Sequence, residues 1–244
     1  MIFLRNYLLI LIIRISNKFG RSFNLKKYAF SSQHILERNF PRNKLFNFVQ
    51  VGANDGVSFD FLYDFVTKRS SQGVVIEPIK DYFNELEQNY KDFETIIKVN
   101  KAVHPTEKSV YINKISPAAI NKYPDWVKGI ASLDSHHHLK TGIDSNDIIK
   151  ELVEADSLMN ILKANLTCLE INYFQVDTEG FDFEVLKQLD FNFIKPSIIK
   201  YEKVNLSEND KIQLKSLLNS HNYFLFDELG DTIAINLNSV KLYK

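Results

Sequence analysis

Phe46-Asn47-Phe48-Val49-Gln50-Val51-Gly52-Ala53-Asn54-Asp55-Gly56 reads as a buried strand running into a glycine turn. The run from Phe46 to Val51 is apolar and strand-favouring, and Gly52 ends it. Ser58 to Thr67 then places Phe59, Leu62, Tyr63 and Val66 at helical spacing. Strand, tight turn and helix in that order open an α/β unit.

The same alternation continues outward. Gly73 to Ile76 is a short β-branched strand closed by Glu77 and Pro78, Asp81 to Tyr90 a helix, Thr95 to Val103 a third strand and Ser109 to Ile112 a fourth. Further on, Asp156 to Leu162 reads as a helix with Asp156 as its N-cap, Asn172 to Val176 as a strand ending at Asp177, and Phe183 to Leu189 as the helix after it. Ser197 to Tyr201 is a strand, and Ser207 caps a helix to Asn219 with Asp210 three residues on. Tyr223 to Phe226 and Thr232 to Ile235 face each other across Gly230 as a closing β pair. The pattern predicts an α/β fold: a Rossmann-like sheet, mostly parallel, with one antiparallel strand near the C-terminus and helices on both faces.

Between Ser116 and Ser145 the alternation fails. Pro117, Pro124, Gly129, Gly142 and the run His136, His137, His138 fall there, so a lid or substrate segment at about 114–148 is expected inside a domain spanning 46–244.

The first 45 residues read as a helical leader. Met1 to Ile15 is apolar but interrupted by Arg5 and Arg14, and Tyr7 to Ile13 is too short to span a bilayer. Lys18, Arg21, Lys26 and Lys27 extend a basic flank, so residues 1–27 fit a helix packed on the domain or lying on an anionic membrane surface. A membrane anchor and a signal peptide are the alternatives, although no small-residue cleavage site follows. The expected location is cytoplasmic, with membrane association through this helix.

Thirty basic residues balance thirty acidic ones, which leaves no global field to recruit nucleic acid. Cys168 is the sole cysteine, so an internal disulfide and a cysteine-based zinc site are excluded. No histidine or carboxylate spacing points to a metal.

Ligands of open α/β sheets gather at the carboxyl ends of the strands, and three signals sit there. The turn Gly52, Ala53, Asn54, Asp55, Gly56 lets backbone amides approach a ligand. Glu77, 21 residues after Gly56, stands where an acid accepts both hydroxyls of a ribose. Asp177, Thr178, Glu179 and Gly180 end a central strand where reacting groups would meet. Turn and acid together imply an adenosine-type cofactor, to which Pro78, Asn100 and Ala102 are added as candidate contacts. A pyrophosphate would want G-x-G-x-x-G without an adjacent acid, whereas this turn is GxxxG and contains Asp55. S-adenosylmethionine has no phosphate and carries an ammonium and a sulfonium, so it tolerates Asp55 and Asp177.

These residues resemble a known family. VGANDG (51–56), VVIEP (74–78), QVDTEGFDFEVLK (175–187) and IIKYE (198–202) are similar to the FkbM-type methyltransferases, over about 46–236. The resemblance implies a class I methyltransferase sheet, S-adenosylmethionine as cofactor, and methylation of a sugar, glycan or polyketide hydroxyl. It places the methionine part on Gly52 to Gly56, the ribose on Glu77, and Asp177 at methyl transfer. Gln50 stands where relatives often carry an acid, which leaves Asp55 as the substitute partner of the cofactor's amino group.

An alcohol acceptor must lose its proton, so a base is useful. Ala131-Ser132-Leu133-Asp134 and the histidines after it resemble the family's ASLDxxH, which selects His137; a solvated loop is the other reading of that run. Asp177 is read as general base or cofactor contact, or as a helix cap. Glu202 is read as a pocket residue or a structural carboxylate, and Glu179 as a helix-dipole charge. Trp126 with Tyr123 fits a sugar-stacking platform or packing of the lid. A nicotinamide-dependent oxidoreductase and a non-catalytic module of the same fold are the competing functions.

Overall fold

The computed structural model describes residues 1–19, 26, 28–58 and 61–243. Phe59, part of the helical pattern above, and Arg21 and Lys27 of the basic flank lie outside the described residues. In chain order the elements are α1 (Ile2–Lys18), α2 (Ser32–Asn39), β1 (Phe46–Val51), α3 (Leu62–Thr67), β2 (Ser71–Ile76), α4 (Lys80–Asn89), β3 (Ile96–Val99), β4 (Ala102–Val103) and β5 (Ser109–Ile115). After four short 3-10 turns come β6 (Ile148–Asp156), α5 (Leu158–Asn165), β7 (Tyr173–Val176), α6 (Asp182–Leu186), β8 (Ile198–Glu202), α7 (Glu208–Ser220), β9 (Tyr223–Glu228) and β10 (Asp231–Asn236).

The main sheet runs β3-β2-β1-β7-β8-β10-β9. Every pairing from β3 to β8 is parallel; β10 runs antiparallel to both of its neighbours, so it alone is reversed. This is the expected mostly parallel sheet with one antiparallel strand. The chain winds outward from β1 through β2 to β3 and re-enters at β7, so the strand order reverses between β1 and β7. A crevice opens at such a point.

Period-two alternation sends β1 side chains to both faces. Val49 and Val51 join Val74, Phe174 and Ile199 under α5, α6 and α7. Phe46 and Phe48 join Val75, Tyr173 and Ile233 under α2, α3 and α4. The leader contributes Ile10, Ile35 and Leu36 to this second layer.

Three readings need correction. Thr95 to Val103 is not one strand: β3 pairs with β2, the chain breaks at Asn100, and β4 pairs with β6 in a separate three-stranded sheet. The Asn100 amide donates to the carbonyls of Glu77 and Pro78, both at 2.9 Å, and this side-chain bonding replaces the ladder there. β5 extends to Ile115 and lies antiparallel to β6, a strand hidden in the sequence because its burial is irregular, with only two of nine residues fully buried. Asp156 ends β6 and does not cap α5; Ser157 does, accepting from the Asn160 N–H. Ser207 caps α7 as expected, accepting from the Asp210 N–H.

β5 and β6 therefore form a long hairpin, and residues 116–147 are its connection. That connection has its own small core, Ala119, Val127, Ile130 and Ile143 packed with Ile115 of β5, so it is a packed layer.

Candidate active site

A cavity of about 320 Å³ lies at the carboxyl ends of β1, β2 and β7, where the strand order reverses. Gly52, Ala53, Asn54, Glu77, Pro78, Ala102 and Asp177 line it. The volume is within the usual range for a small-molecule site.

Gly52 adopts φ +77, and a Cβ there would sit 1.8 Å from the carbonyl oxygen of Asp177. No side chain fits, because β1 and β7 remain bonded through Asp177 N–H to Val51 O at 3.0 Å just before they part. We expect Gly52→Ala to lower stability by about 3 kcal/mol, combining left-handed strain with backbone overlap. An unchanged melting temperature in calorimetry would refute this close approach.

Glu77 is buried at the end of β2, with one carboxylate oxygen accepting from Asn54 N–H and the other from Ile79 N–H, both at 2.9 Å. Burial pushes its pKa up to about 7; the two backbone donors oppose the shift, Glu151 adds to it and Lys114 opposes it. Each oxygen keeps a lone pair for a further donor, which is what a ribose diol requires.

Asp55 and Gly56 do not reach the wall. The Asp55 carboxylate accepts from the N–H groups of Val57 and Ser58 and from the Ser58 hydroxyl, so it braces its own turn rather than replacing an acid at Gln50. Gly56 makes room for Leu86 and Tyr90, each under 3 Å from a would-be Cβ. Asn100 acts from behind, through the carbonyls of Glu77 and Pro78.

At the β7 end the carboxylates converge. One oxygen from each of Asp177, Glu179 and Glu202 lies within 4.8 Å of the others. Although Asp177 is open to solvent through the cavity, the protein packed around it raises its pKa well above the carboxylate range, and Asp182, Glu202, Glu179 and Asp231 raise it further. Glu202 is pushed up to about 7, by burial first and then by Glu179, although Asn205 Nδ2 donates to both of its oxygens at 3.0 Å. Asp177 is not a helix cap: α6 starts after Phe181 without a side-chain cap. Glu179 is not a helix-dipole charge either, since it pairs with His137 Nε2 at 3.0 Å and accepts from Asn205 at 2.8 Å.

His137 is buried within the hairpin connection and does not line the cavity; its contact with Glu179 clasps that layer onto the β7 loop. Two more bonds close the clasp, Ser132 Oγ to Glu179 O at 2.8 Å and Asn54 Nδ2 to Lys128 O at 2.9 Å. Trp126 lines the cavity while nearly half exposed, whereas Tyr123 donates its hydroxyl to Asp147 and packs in the layer's own core. Of the two, Tyr123 takes the packing role and Trp126 faces the cavity.

Sequence reasoning missed Asp182, Asp231 and Lys200. Asp182 is fully buried and ties the site together, accepting from Thr178 N–H at 2.8 Å, Thr178 Oγ1 at 2.5 Å and Glu202 N–H at 2.9 Å. Asp231 lines the cavity with Lys200, its ion-pair partner at 3.0 Å. The signal was available for Asp231: a reversed strand begins at the edge where parallel strands end, and Asp231 pairs with Glu202 in register.

Comparison with known proteins bears on the family of the chain. A structure of methyltransferase FkbM from Methylobacillus flagellatus KT shares the fold, with TM-score 0.50 and 13% identity over 90% of this chain and 52% of that one. M. capricolum TrmK in complex with S-adenosyl-homocysteine is matched at TM-score 0.39 and 13% identity, over 90% of this chain and 70% of that one. The N-terminal domain of human METTL16 with the same product is matched at TM-score 0.42 and 12% identity, over 87% and 67%. The chain spans 65% of another METTL16 methyltransferase-domain structure and about half of the FkbM chain. No curated protein sequence matches. The residues present fit a cationic sulfur nucleoside: a buried acid for the ribose, a carboxylate cluster for positive charge, and no GxGxxG loop for the pyrophosphate of a nicotinamide cofactor. The methyltransferase FkbM domain model matches residues 50–231, most of the sequence, so the chain belongs to the FkbM methyltransferase domain family and its cofactor is S-adenosylmethionine.

Proposed function

We propose that this methyltransferase acts on oxygen, transferring the methyl group to a hydroxyl of a sugar or glycan. The observation that carries the reading is the Asp177 carboxylate, open to solvent on the cavity wall within reach of an acceptor and set among the carboxylates of Asp182, Glu202, Glu179 and Asp231. A neutral amine acceptor needs no base to become nucleophilic, whereas a hydroxyl gains from one within reach. The cofactor supplies an electrophilic methyl carbon on a cationic sulfur. Glu77 would hold the ribose and the Gly52–Asn54 turn the methionine part, while the ionised form of Asp177, favoured by the cofactor's positive charge, would accept the acceptor's hydroxyl proton as the bond from oxygen to the methyl carbon forms and the carbon–sulfur bond breaks. His137 acts as a positioning residue, holding Glu179 and the hairpin layer over the site. Trp126 at the mouth offers an apolar face against which a sugar ring can stack.

The test is transfer of labelled methyl from S-adenosylmethionine to a panel of mono- and oligosaccharides, read by mass spectrometry with the methylated atom assigned by NMR. An O-methyl ether on a sugar is expected. Turnover confined to amine acceptors or to nucleic acid would overturn the proposal.

A further inference from the structure

The outward face of α1 lies outside the chemistry of the cavity. A helix of 17 residues is about 25 Å long, short of the ~30 Å hydrocarbon core, and among the described residues no helix is long and apolar enough to cross a membrane. Yet α1 is apolar nearly all round. Ile10 and Ile13 are buried on its inner face, while Leu4, Tyr7, Leu8, Leu11, Ile12 and Ile15 are each 42–60% exposed on the opposite arc. At 100° per residue that arc is flanked on its two edges by Arg5 and Arg14.

The helix is held against the body by a polar clasp. Asn6, fully buried, donates to Leu237 O at 2.9 Å and Val240 O at 2.7 Å and accepts from Leu242 N–H at 2.9 Å. These bonds fix which face looks outward.

Charge selects the occupant. Residues 1–36 carry Arg5, Arg14, Lys18, Arg21, Lys26 and Lys27 and no acidic residue, although the whole chain is neutral. A second copy of this face would bring like charges together with no acid to answer them. Anionic headgroups answer them, and acyl chains accept the apolar arc while the arginines reach outward. We propose that α1 lies in the plane of an anionic bilayer, its exposed arc in the boundary between headgroups and acyl chains, and so holds the catalytic domain at the membrane surface. The proposal is independent of the acceptor's identity.

The test is co-sedimentation of the full chain with phosphatidylcholine vesicles, plain or containing about one third phosphatidylglycerol. Binding is expected to the anionic vesicles and to weaken with salt. Leu8→Asp with Ile12→Asp should reduce partitioning by roughly 100-fold or more, from the lost burial of two large aliphatic side chains. Arg5→Gln with Arg14→Gln should reduce it by roughly 10-fold or more. Both variants leave the Asn6 clasp and the cavity untouched, so melting temperature and S-adenosylmethionine affinity should match wild type. Failure to sediment with anionic vesicles, equal binding to neutral ones, or a dimer in light scattering that Leu8→Asp with Ile12→Asp dissolves would each overturn it.

Discussion

Asp177→Asn is expected to lower kcat by roughly 10²–10⁴-fold while S-adenosylmethionine binds within a few-fold of wild type. The substitution keeps the shape of the side chain and removes its capacity to take a proton. The backbone should not move, because Asp177 N–H is fixed to Val51 O and the next residue is held twice by Asp182. The raised proton affinity of Asp177 brings it closer to that of a hydroxyl in transit than an ordinary carboxylate would come. Glu202→Gln should have a much smaller effect, since both Glu202 oxygens already face the Asn205 amide. Steady-state kinetics at saturating cofactor, with calorimetry for affinity, separates the roles. Loss of binding with kcat preserved would make Asp177 a cofactor contact, and a rate within threefold of wild type would place the base elsewhere. Cofactor binding in a wild-type chain that turns over none of the acceptors would favour the non-catalytic reading.

Much of this geometry was legible in the sequence because it is local. FNFVQVGANDG declares a strand, a glycine turn and a cofactor edge within eleven residues, and VVIEP places an acid on the next strand without further context. What failed to show was set by distant partners. β6 alternates poorly because it borrows its pairing from β5, forty residues earlier, and only the folded hairpin makes its exposed positions sensible. Asp55 looked like a ligand because the turn's own N–H groups, which claim it, are invisible to a charge argument. His137 was found by pattern, but its partner Glu179 was read separately; their contact depends on how the 116–147 layer folds back. Asp231 was overlooked because strand direction, rather than residue type, carries it to the catalytic edge.

Glu77 yields the second large effect, in which folding and cofactor binding respond to pH in opposite directions. Its pKa is about 7 in the folded chain against 4.5 in the unfolded one, so between those values the folded state holds a proton that the unfolded state has released. Stability from this group is full below about pH 4.5 and is lost as pH rises toward 7 and above, by about 3 kcal/mol for a group so deeply buried. Glu202, raised to about 7, and Asp182, raised to about 6, act in the same window with the same sign. Asp156, lowered to about 2, acts only in stronger acid. The cofactor-free protein should therefore melt higher at pH 5.5 than at pH 7.5. Cofactor affinity should run the other way, because only the carboxylate leaves both oxygens free to accept ribose hydroxyls while still holding Asn54 and Ile79. Glu77→Gln turns one acceptor into a donor facing a backbone N–H, and loses charge-assisted bonds worth about 1.5–3 kcal/mol each. Binding of S-adenosylmethionine should weaken by roughly 100-fold, and the part of both pH slopes that belongs to this residue should vanish. The pH dependence left in the variant belongs to the carboxylates around Asp177, so the difference between the two chains isolates Glu77. Equal affinities and equal slopes for wild type and Glu77→Gln would remove the ribose role from this residue.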